Sequence, residues 1–155
     1  HFEKQHPVFR VDLLEAVDDS RFLNKIIDWA ETNIKKGPIC VSTSADVDGV
    51  KRAQEILGRD GAAALADEIL GKSAAALKDL GVRKFVVAGG ETSGQFFKSL
   101  DIGQVQVSSF DNLAGGYCHE ASSDPMSIVT KAGGLGNEEF FFTALDRMRQ
   151  ADTQI

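Results

Sequence analysis

A glycine-rich segment at residues 89–94 has the composition of a phosphate-binding loop. It follows the most apolar predicted strand (84–88) and opens a predicted helix (91–100). We expect Thr92 to cap this helix, with Gln95 completing a capping box. Free amides and the helix dipole at a helix N-terminus favour an anion, above all a phosphate. A tight turn that needs small residues is the alternative. The candidate contact residues are Gly89, Gly90, Glu91, Thr92, Ser93 and Gly94.

A second glycine-rich segment, residues 131–137, also leaves a predicted strand and enters a predicted helix. Glycines at 133, 134 and 136 would let a nucleotide base or ribose lie against bare backbone. Lys131 would place a point charge near a phosphate, and Asn137 would cap the helix. The alternative is an ordinary turn with a solvated Lys131. If both strands lie near the middle of one sheet, the two loops open at the same edge, so Lys131 and Gly133 join the candidate binding residues.

Other motifs carry less weight. Residues 42–44 bring three hydroxyls after a strand, but an ordinary turn is favoured there. A P-loop ending at residues 71–73 is excluded, because the motif requires glycine where the chain has Ala66. No G-x-G-x-x-G follows a strand. Residues 118–120 are Cys-His-Glu, but neighbours on an extended segment point to opposite faces, so no metal site is predicted. No catalytic residue is assigned.

The elements that must position these loops alternate between short β-branched runs and helix-period segments. Strands are predicted at 7–11, 39–43, 84–88, 104–110, 117–120 and 127–131. Helices are predicted at 21–35, 54–57, 62–80, 91–100 and 137–148, with a turn at 46–49 and a loop over 111–125. The alternation predicts the α/β class, as a three-layer α/β/α sandwich with a mainly parallel, Rossmann-like sheet. A single domain is expected over residues 1–149, followed by a frayed tail at 150–155.

Composition limits the classes of function. The 155 residues include 17 basic and 23 acidic side chains, for a net charge of −6. This acidic balance argues against a nucleic-acid partner, which requires a basic surface. No apolar run reaches the roughly 20 residues of a membrane span, and no secretory leader is expected. The two cysteines, Cys40 and Cys118, are too few for a disulfide framework and favour a reduced, cytoplasmic setting.

From about His6 to Leu145 the chain resembles the four-carbon acid sugar kinases, which phosphorylate 3-oxo-tetronate, threonate or erythronate-type acids. The family's strand followed by Gly-Gly-Asp/Glu-Thr-Ser-Gly is similar to residues 86–94. Its later Lys-Ser-Gly-Asn-Phe-Gly, followed by an acidic and phenylalanine-rich helix start, resembles residues 131–141. In the second motif Gly133 and Gly136 are kept. The substituted positions are Ala132, Gly134 and Leu135.

The resemblance implies that this chain is the C-terminal, nucleotide-binding domain of a two-domain kinase, an alcohol-group phosphotransferase. ATP and Mg²⁺ would be its cofactors, and ATP or ADP its ligand. Gly89 to Thr92 and Gly133 would contact the nucleotide, and Glu91 would orient Mg²⁺ or pair with the helix dipole. The four-carbon acid sugar and the general base would belong to the family's N-terminal domain, so the isolated domain would be inactive. A homo-oligomer is compatible with this assignment.

Two alternatives remain at this point. The chain could be a non-catalytic module that binds a phosphorylated metabolite or a partner protein. A weaker option is a degenerate dinucleotide-binding domain, which would need an acidic residue at the end of the second strand. Asp46 and Asp48 lie too far into the following loop for that role.

Overall fold

Residues 1–108 and 115–152 are described by a computed structural model, in which helices and strands alternate along the chain. The strands are β1 (Val8–Arg10), β2 (Cys40–Ser42), β3 (Lys84–Ala88), β4 (Val105–Val107), β5 (Gly115–Glu120) and β6 (Ser127–Lys131). The α-helices are α1 (Leu13–Asp18), α2 (Phe22–Asn33), α3 (Val47–Leu57), α4 (Arg59–Asp79), α5 (Gly90–Ser99) and α6 (Phe140–Asp152). Short 3-10 turns occupy Phe2–Lys4 and Ile34–Lys36.

The strands form two sheets. In the first, β1 and β2 are parallel. In the second, the order is β3-β6-β5-β4, with β3 parallel to β6 and with β5 antiparallel to both of its neighbours. The β3–β6 register runs from Lys84 opposite Ser127 to Ala88 opposite Lys131. A long connection joins each parallel pair, as parallel strands require. Helices α1 and α2 lie between β1 and β2, and α5, β4 and β5 lie between β3 and β6.

Helices cover both faces of the four-stranded sheet. On one face, Phe85 and Val87 of β3 pack with Ala74 of α4 and Phe96 of α5. The other face carries a second cluster, in which α6 contributes its apolar stripe. Its members are Tyr117, Val129, Phe140, Ala144 and Met148. Residues alternate between the two faces along each strand, so the predicted α/β sandwich is confirmed.

The two-stranded sheet packs on a third hydrophobic cluster, and α4 connects this cluster to the core of the four-stranded sheet. Phe22 and Ile26 of α2 lie with Val11 after β1 and with Ile69 of α4. The same α4 contributes Ala74 to the cluster under β3. A single helix of 21 residues therefore carries core residues for both sheets.

Helix bounds differ from the predicted ones in the middle of the chain. The predicted turn at 46–49 is instead a helix start, because the Asp46 side chain accepts a hydrogen bond from the Gly49 amide at 2.7 Å. Consequently α3 spans Val47–Leu57 rather than 54–57 alone, and α4 begins at Arg59 rather than residue 62. At the end of the chain, α6 continues to Asp152, so the predicted frayed tail is helical at 150–152.

Some predictions fall outside the described residues. These are the end of the predicted fourth strand (109–110), the start of the predicted loop (111–114) and the last residues of the tail (153–155). Within 1–108 and 115–152, no helix is both long enough and apolar enough to cross a bilayer.

Candidate functional site

The two glycine-rich loops lie side by side. They leave adjacent parallel strands whose last residues, Ala88 and Lys131, are register partners. The ladder continues one step further, where the Gly89 amide donates to the Lys131 carbonyl at 2.8 Å. Both loops therefore open at one edge as expected, although β3 is an outer strand in the described sheet and does not lie near its middle. This edge is the carboxyl end of a parallel strand pair, where open α/β sheets bind their ligands.

The first turn of α5 presents backbone donors at this edge. Gly89 precedes the helix with φ of +113°, a conformation that favours glycine. The first helical bond runs from the Ser93 amide to the Gly89 carbonyl at 2.9 Å. The amides of Gly90, Glu91 and Thr92 lie before that bond, and no side chain caps the helix. Three N–H groups at the positive end of a helix dipole are suited to a phosphate.

The predicted capping box at Thr92 is wrong. The helix begins at Gly90, so Thr92 lies inside the first turn, and its hydroxyl donates to Asp67 Oδ1 of α4 at 2.7 Å. Gln95 turns away from the cap and donates to Ser99 Oγ at 3.2 Å. Sequence reasoning missed Asp67, because nothing in a helical segment 25 residues earlier marks it as a neighbour of this loop.

Glycine is not required by packing at several positions around this edge. An added Cβ at Gly90, Gly133 or Gly134 would have no heavy atom within 4 Å, and none of these residues has a positive φ. At Gly89, in contrast, an added Cβ would lie 3.1 Å from Thr92 Oγ1. The surface over Gly90 and Gly133 is thus bare main chain facing open space, which a ligand can approach closely.

The second loop is organised around Lys131. Its Nζ donates to the carbonyls of Gly133 at 2.8 Å and Ala132 at 3.2 Å, and it lies 5.7 Å from the centre of the Phe140 ring. Gly136 has φ of +88°, and an added Cβ there would lie 2.9 Å from Phe140 Cδ2. The loop therefore packs against Phe140 at the start of α6, and the Lys131 ammonium group is bonded to the carbonyls of the loop.

The remaining predicted residues of the first loop differ in their surroundings. Glu91 is exposed in the first turn of α5. The Ser93 hydroxyl donates to the Gly89 carbonyl at 2.6 Å, so that donor is used within the turn. Gly94 is exposed one turn into the helix, with open space around it. Gly89 to Thr92 therefore form the centre of the loop, and Ser93 and Gly94 lie behind it.

The Cys-His-Glu segment lies on β5, which is separated from β3 by β6. Cys118 is buried in the cluster under α4 and α5, and burial raises the pKa of its thiol. His119 faces the opposite side, where its ring contacts Tyr117 and its Nδ1 pairs with Ser127 Oγ at 3.2 Å. In the part of the chain that the structure describes, no three metal-ligating side chains converge.

The hydroxyl-rich loop after β2 forms a local turn. The Ser44 amide donates to Ser42 Oγ at 3.1 Å. Side-chain acceptance two residues along the chain is typical of serine turns. The structure thus supports the turn interpretation of residues 42–44.

Comparisons with known proteins identify the family. The nucleotide-binding C-terminal domain family matches residues 1–141. Curated relatives include 3-oxo-tetronate kinases of Pseudomonas fluorescens, 31% identical over 94% of this chain, and of Burkholderia multivorans, 32% identical over 90%. The chain spans 34% and 32% of these two relatives, or about a third of their length.

Solved structures share the fold of this chain. A DUF1537 protein of Haemophilus influenzae is 25% identical, with a TM-score of 0.83 over 94% of this chain and 35% of that one. A protein of Salmonella typhimurium LT2, 23% identical, shares the fold with a TM-score of 0.78 over 92% of this chain and 35% of that one. With 141 residues matched, this chain belongs to the nucleotide-binding C-terminal domain family, whose matched curated relatives are kinases.

Proposed function

We propose that residues 1–149 form the ATP-binding domain of a cytoplasmic kinase that phosphorylates a four-carbon acid sugar. The observation that carries this proposal is the meeting of two bare glycine loops at the carboxyl edge of β3 and β6. The curated relatives support it, because they are named 3-oxo-tetronate kinases.

The amides of Gly90, Glu91 and Thr92 are the phosphate donors in this proposal. They need no movement to accept an anion, since no side chain of the described residues caps them. Lys131 supplies the nearby positive charge from the adjacent strand end. The bare backbone at Gly133 and Gly134 receives the flat part of the nucleotide, because an added Cβ at either position would project into open space.

Mg²⁺ enters this proposal together with ATP. Magnesium keeps several waters and is commonly held by one or two carboxylates plus the phosphates of the substrate. The described residues fit that mode, because Glu91, exposed at the start of α5, and Asp67, bonded to Thr92, place carboxylates at this turn. The ion would offset charge on the transferred phosphoryl group.

The acid sugar and the general base belong to the remainder of the longer protein. The chain spans only about a third of its curated relatives. Phosphoryl transfer depends mainly on positioning and charge neutralisation. A rigid phosphate cradle is the contribution of this domain, and the isolated domain binds ATP and ADP without transferring phosphate.

The test is a Gly90→Val substitution, with Gly103→Val as its matched control. Both glycines have open space around an added Cβ and neither has a positive φ, but only Gly90 lies in the cradle. Isothermal titration should show at least a ~10-fold loss of ATP affinity for Gly90→Val, about 1.4 kcal/mol. Gly103→Val should bind ATP as the parent chain does.

The same titration separates a kinase domain from a sensor of phosphorylated metabolites. ATP and ADP should bind, with tighter ATP binding when Mg²⁺ is present, whereas sugar phosphates should not compete. Unchanged ATP affinity in Gly90→Val would contradict the cradle. Equal affinity for ATP and a sugar phosphate would contradict the kinase assignment while leaving an anion site in place.

A further inference from the structure

A cleft separates the two sheets, and strand edges line it on both sides. Its volume is about 510 Å³, and its walls include every residue from Gly37 to Ser44 and from Lys84 to Ala88. A sheet face would contribute alternate residues, so the unbroken runs show that the edges of β2 and β3 border the space. In the described residues, β2 pairs with β1 alone and β3 pairs with β6 alone.

The hydrogen bonds of β2 show which backbone groups point into the cleft. The Cys40 amide donates to the Pro7 carbonyl at 3.0 Å, and the Ser42 carbonyl accepts from the Val11 amide at 2.8 Å. Cys40 and Ser42 therefore use their peptide groups toward β1. Since peptide groups alternate between the two edges of a strand, those of Val41 point into the cleft.

The same argument applies to β3. The Arg83 carbonyl accepts from the Ser127 amide at 2.8 Å, and the Gly89 amide donates to the Lys131 carbonyl at 2.8 Å. The odd-numbered residues of β3 thus face β6, and the peptide groups of Val86 point into the cleft. The peptide groups of Val41 and Val86 therefore face each other across one cavity, and a strand edge left open in this way is a liability that folded sheets normally cover.

Helices cover the cleft on both faces, as they cover the strands of the four-stranded sheet. Leu70 and Ala74 of α4 and Phe96 of α5 line it from one face, and Phe141 and Leu145 of α6 line it from the other. With strand edges on two sides and helices on the other two, the cleft has the surroundings of a further strand.

We propose that this cleft receives an extended, apolar segment of the same polypeptide, from the part of the longer protein that these 155 residues do not span. The segment bonds to Val41 on one side and Val86 on the other, which joins the two sheets into one. Matched relatives are about three times as long as this chain, so a polypeptide of their length has the residues to supply it. A tethered segment also has a high effective concentration, which a separate partner lacks.

The chemistry of the cleft favours this occupant over others. Helices flank it on both faces, so an occupant has to lie between the layers. The side walls are mostly aliphatic and aromatic, and Lys84 is the charged residue among them. A strand with apolar side chains on both faces, as in buried parallel sheets, satisfies the walls and both ladder edges. The cleft borders the proposed nucleotide site, because Thr92 also lines it, but the inference rests on the strand edges and does not require that ATP binds there.

The first test compares the 155-residue chain with the full translation product of its gene by amide hydrogen exchange. The Val41 and Val86 amides should exchange at least ~100-fold more slowly in the full product. The Val87 amide, which faces β6, should be protected in both and is the internal control. Equal exchange at Val41 and Val86 in the two proteins would overturn the proposal. Protection in the short chain that depends on its concentration would assign the cleft to a second copy instead.

The second test uses only the full product, so it stands even if the short chain does not fold. Val86→Pro and Val87→Pro each remove one amide from β3. An edge strand tolerates proline where the amide faces away from the ladder. If the cleft is filled by a strand, Val86→Pro should lower the melting temperature about as much as Val87→Pro. A Val86→Pro protein that melts with the parent would refute a strand beside Val86.

Discussion

Helix α4 approaches α5 at Gly71, where an alanine would add one methyl group to a filled space. The added Cβ would overlap Ser99 Oγ and would lie 3.1 Å from Gln95 Cγ and 3.2 Å from Ser99 Cβ. Gly71 is buried in the middle of α4, one turn after Asp67, which binds Thr92 at the start of α5. Gly71→Ala therefore tests the packing that holds the phosphate-facing turn in place.

The magnitude follows from three opposing contributions. Alanine is about 1 kcal/mol more favourable than glycine in a helix interior. Overpacking a filled site costs roughly 1–3 kcal/mol. Rotation of Ser99 away from the new methyl group breaks its bond with Gln95, at about 1 kcal/mol. We therefore expect a net destabilisation of roughly 1–3 kcal/mol.

Urea unfolding followed by the fluorescence of Trp29, the one tryptophan, measures this change. Gly61→Ala on the same helix is the matched control, because Gly61 is exposed and its nearest contact would be Leu57 Cβ at 3.8 Å. It should gain up to about 1 kcal/mol. Adding Ser99→Ala to Gly71→Ala should recover part of the loss. A Gly71→Ala protein as stable as Gly61→Ala would refute the close approach of the two helices.

Three further predictions concern stability and reactivity. Thr92→Val removes the hydroxyl that binds the half-buried Asp67 carboxylate, and should cost about 1–2 kcal/mol in urea unfolding; no change would mean that the bond is absent in solution. Ile128→Ala should lower the free energy of unfolding by about 2–5 kcal/mol, because Ile128 is 0% exposed. As its control, Val107→Ala should change it by no more than about 0.5 kcal/mol, because Val107 is 75% exposed. Similar losses in the two variants would contradict the described core. Burial raises the pKa of the Cys40 thiol. The rate of Cys40 alkylation, followed by peptide mass, should therefore still increase with pH above about 8.5, where a free cysteine is half ionised. A pH profile like that of free cysteine would contradict the burial.

Sequence patterning predicted the strands that carry the site. Residues 84–88 and 127–131 were expected as strands and are β3 and β6 with the same bounds. A nearly continuous apolar run predicted β3, as is typical of a strand covered on both faces, and a short β-branched run predicted β6. The edge shared by the two loops also followed from topology, since parallel neighbours place their carboxyl ends together.

Other features depend on contacts that local patterns do not encode. The Thr92 capping box failed because Gly89 starts the helix earlier, which places Thr92 beside Asp67 of α4. Strand β5 was expected only at 117–120, yet it begins at Gly115, since its pairing with β6 outweighs the weak strand preference of glycine. The separation of β2 from β3 likewise carries no signal along the chain.

The parallel ladder beneath the two loops has a consequence for the order of folding. Ala88 and Lys131 are register partners although they are 43 positions apart in the chain (131 − 88). Strands β4, β5 and β6 pair with their neighbours in sequence, so their contacts close shorter loops and can form sooner. We therefore expect the insertion of β3 beside β6 to come after them. A ligand that needs both loops therefore recognises the completed native state, and its binding slows unfolding rather than speeding the early steps of folding.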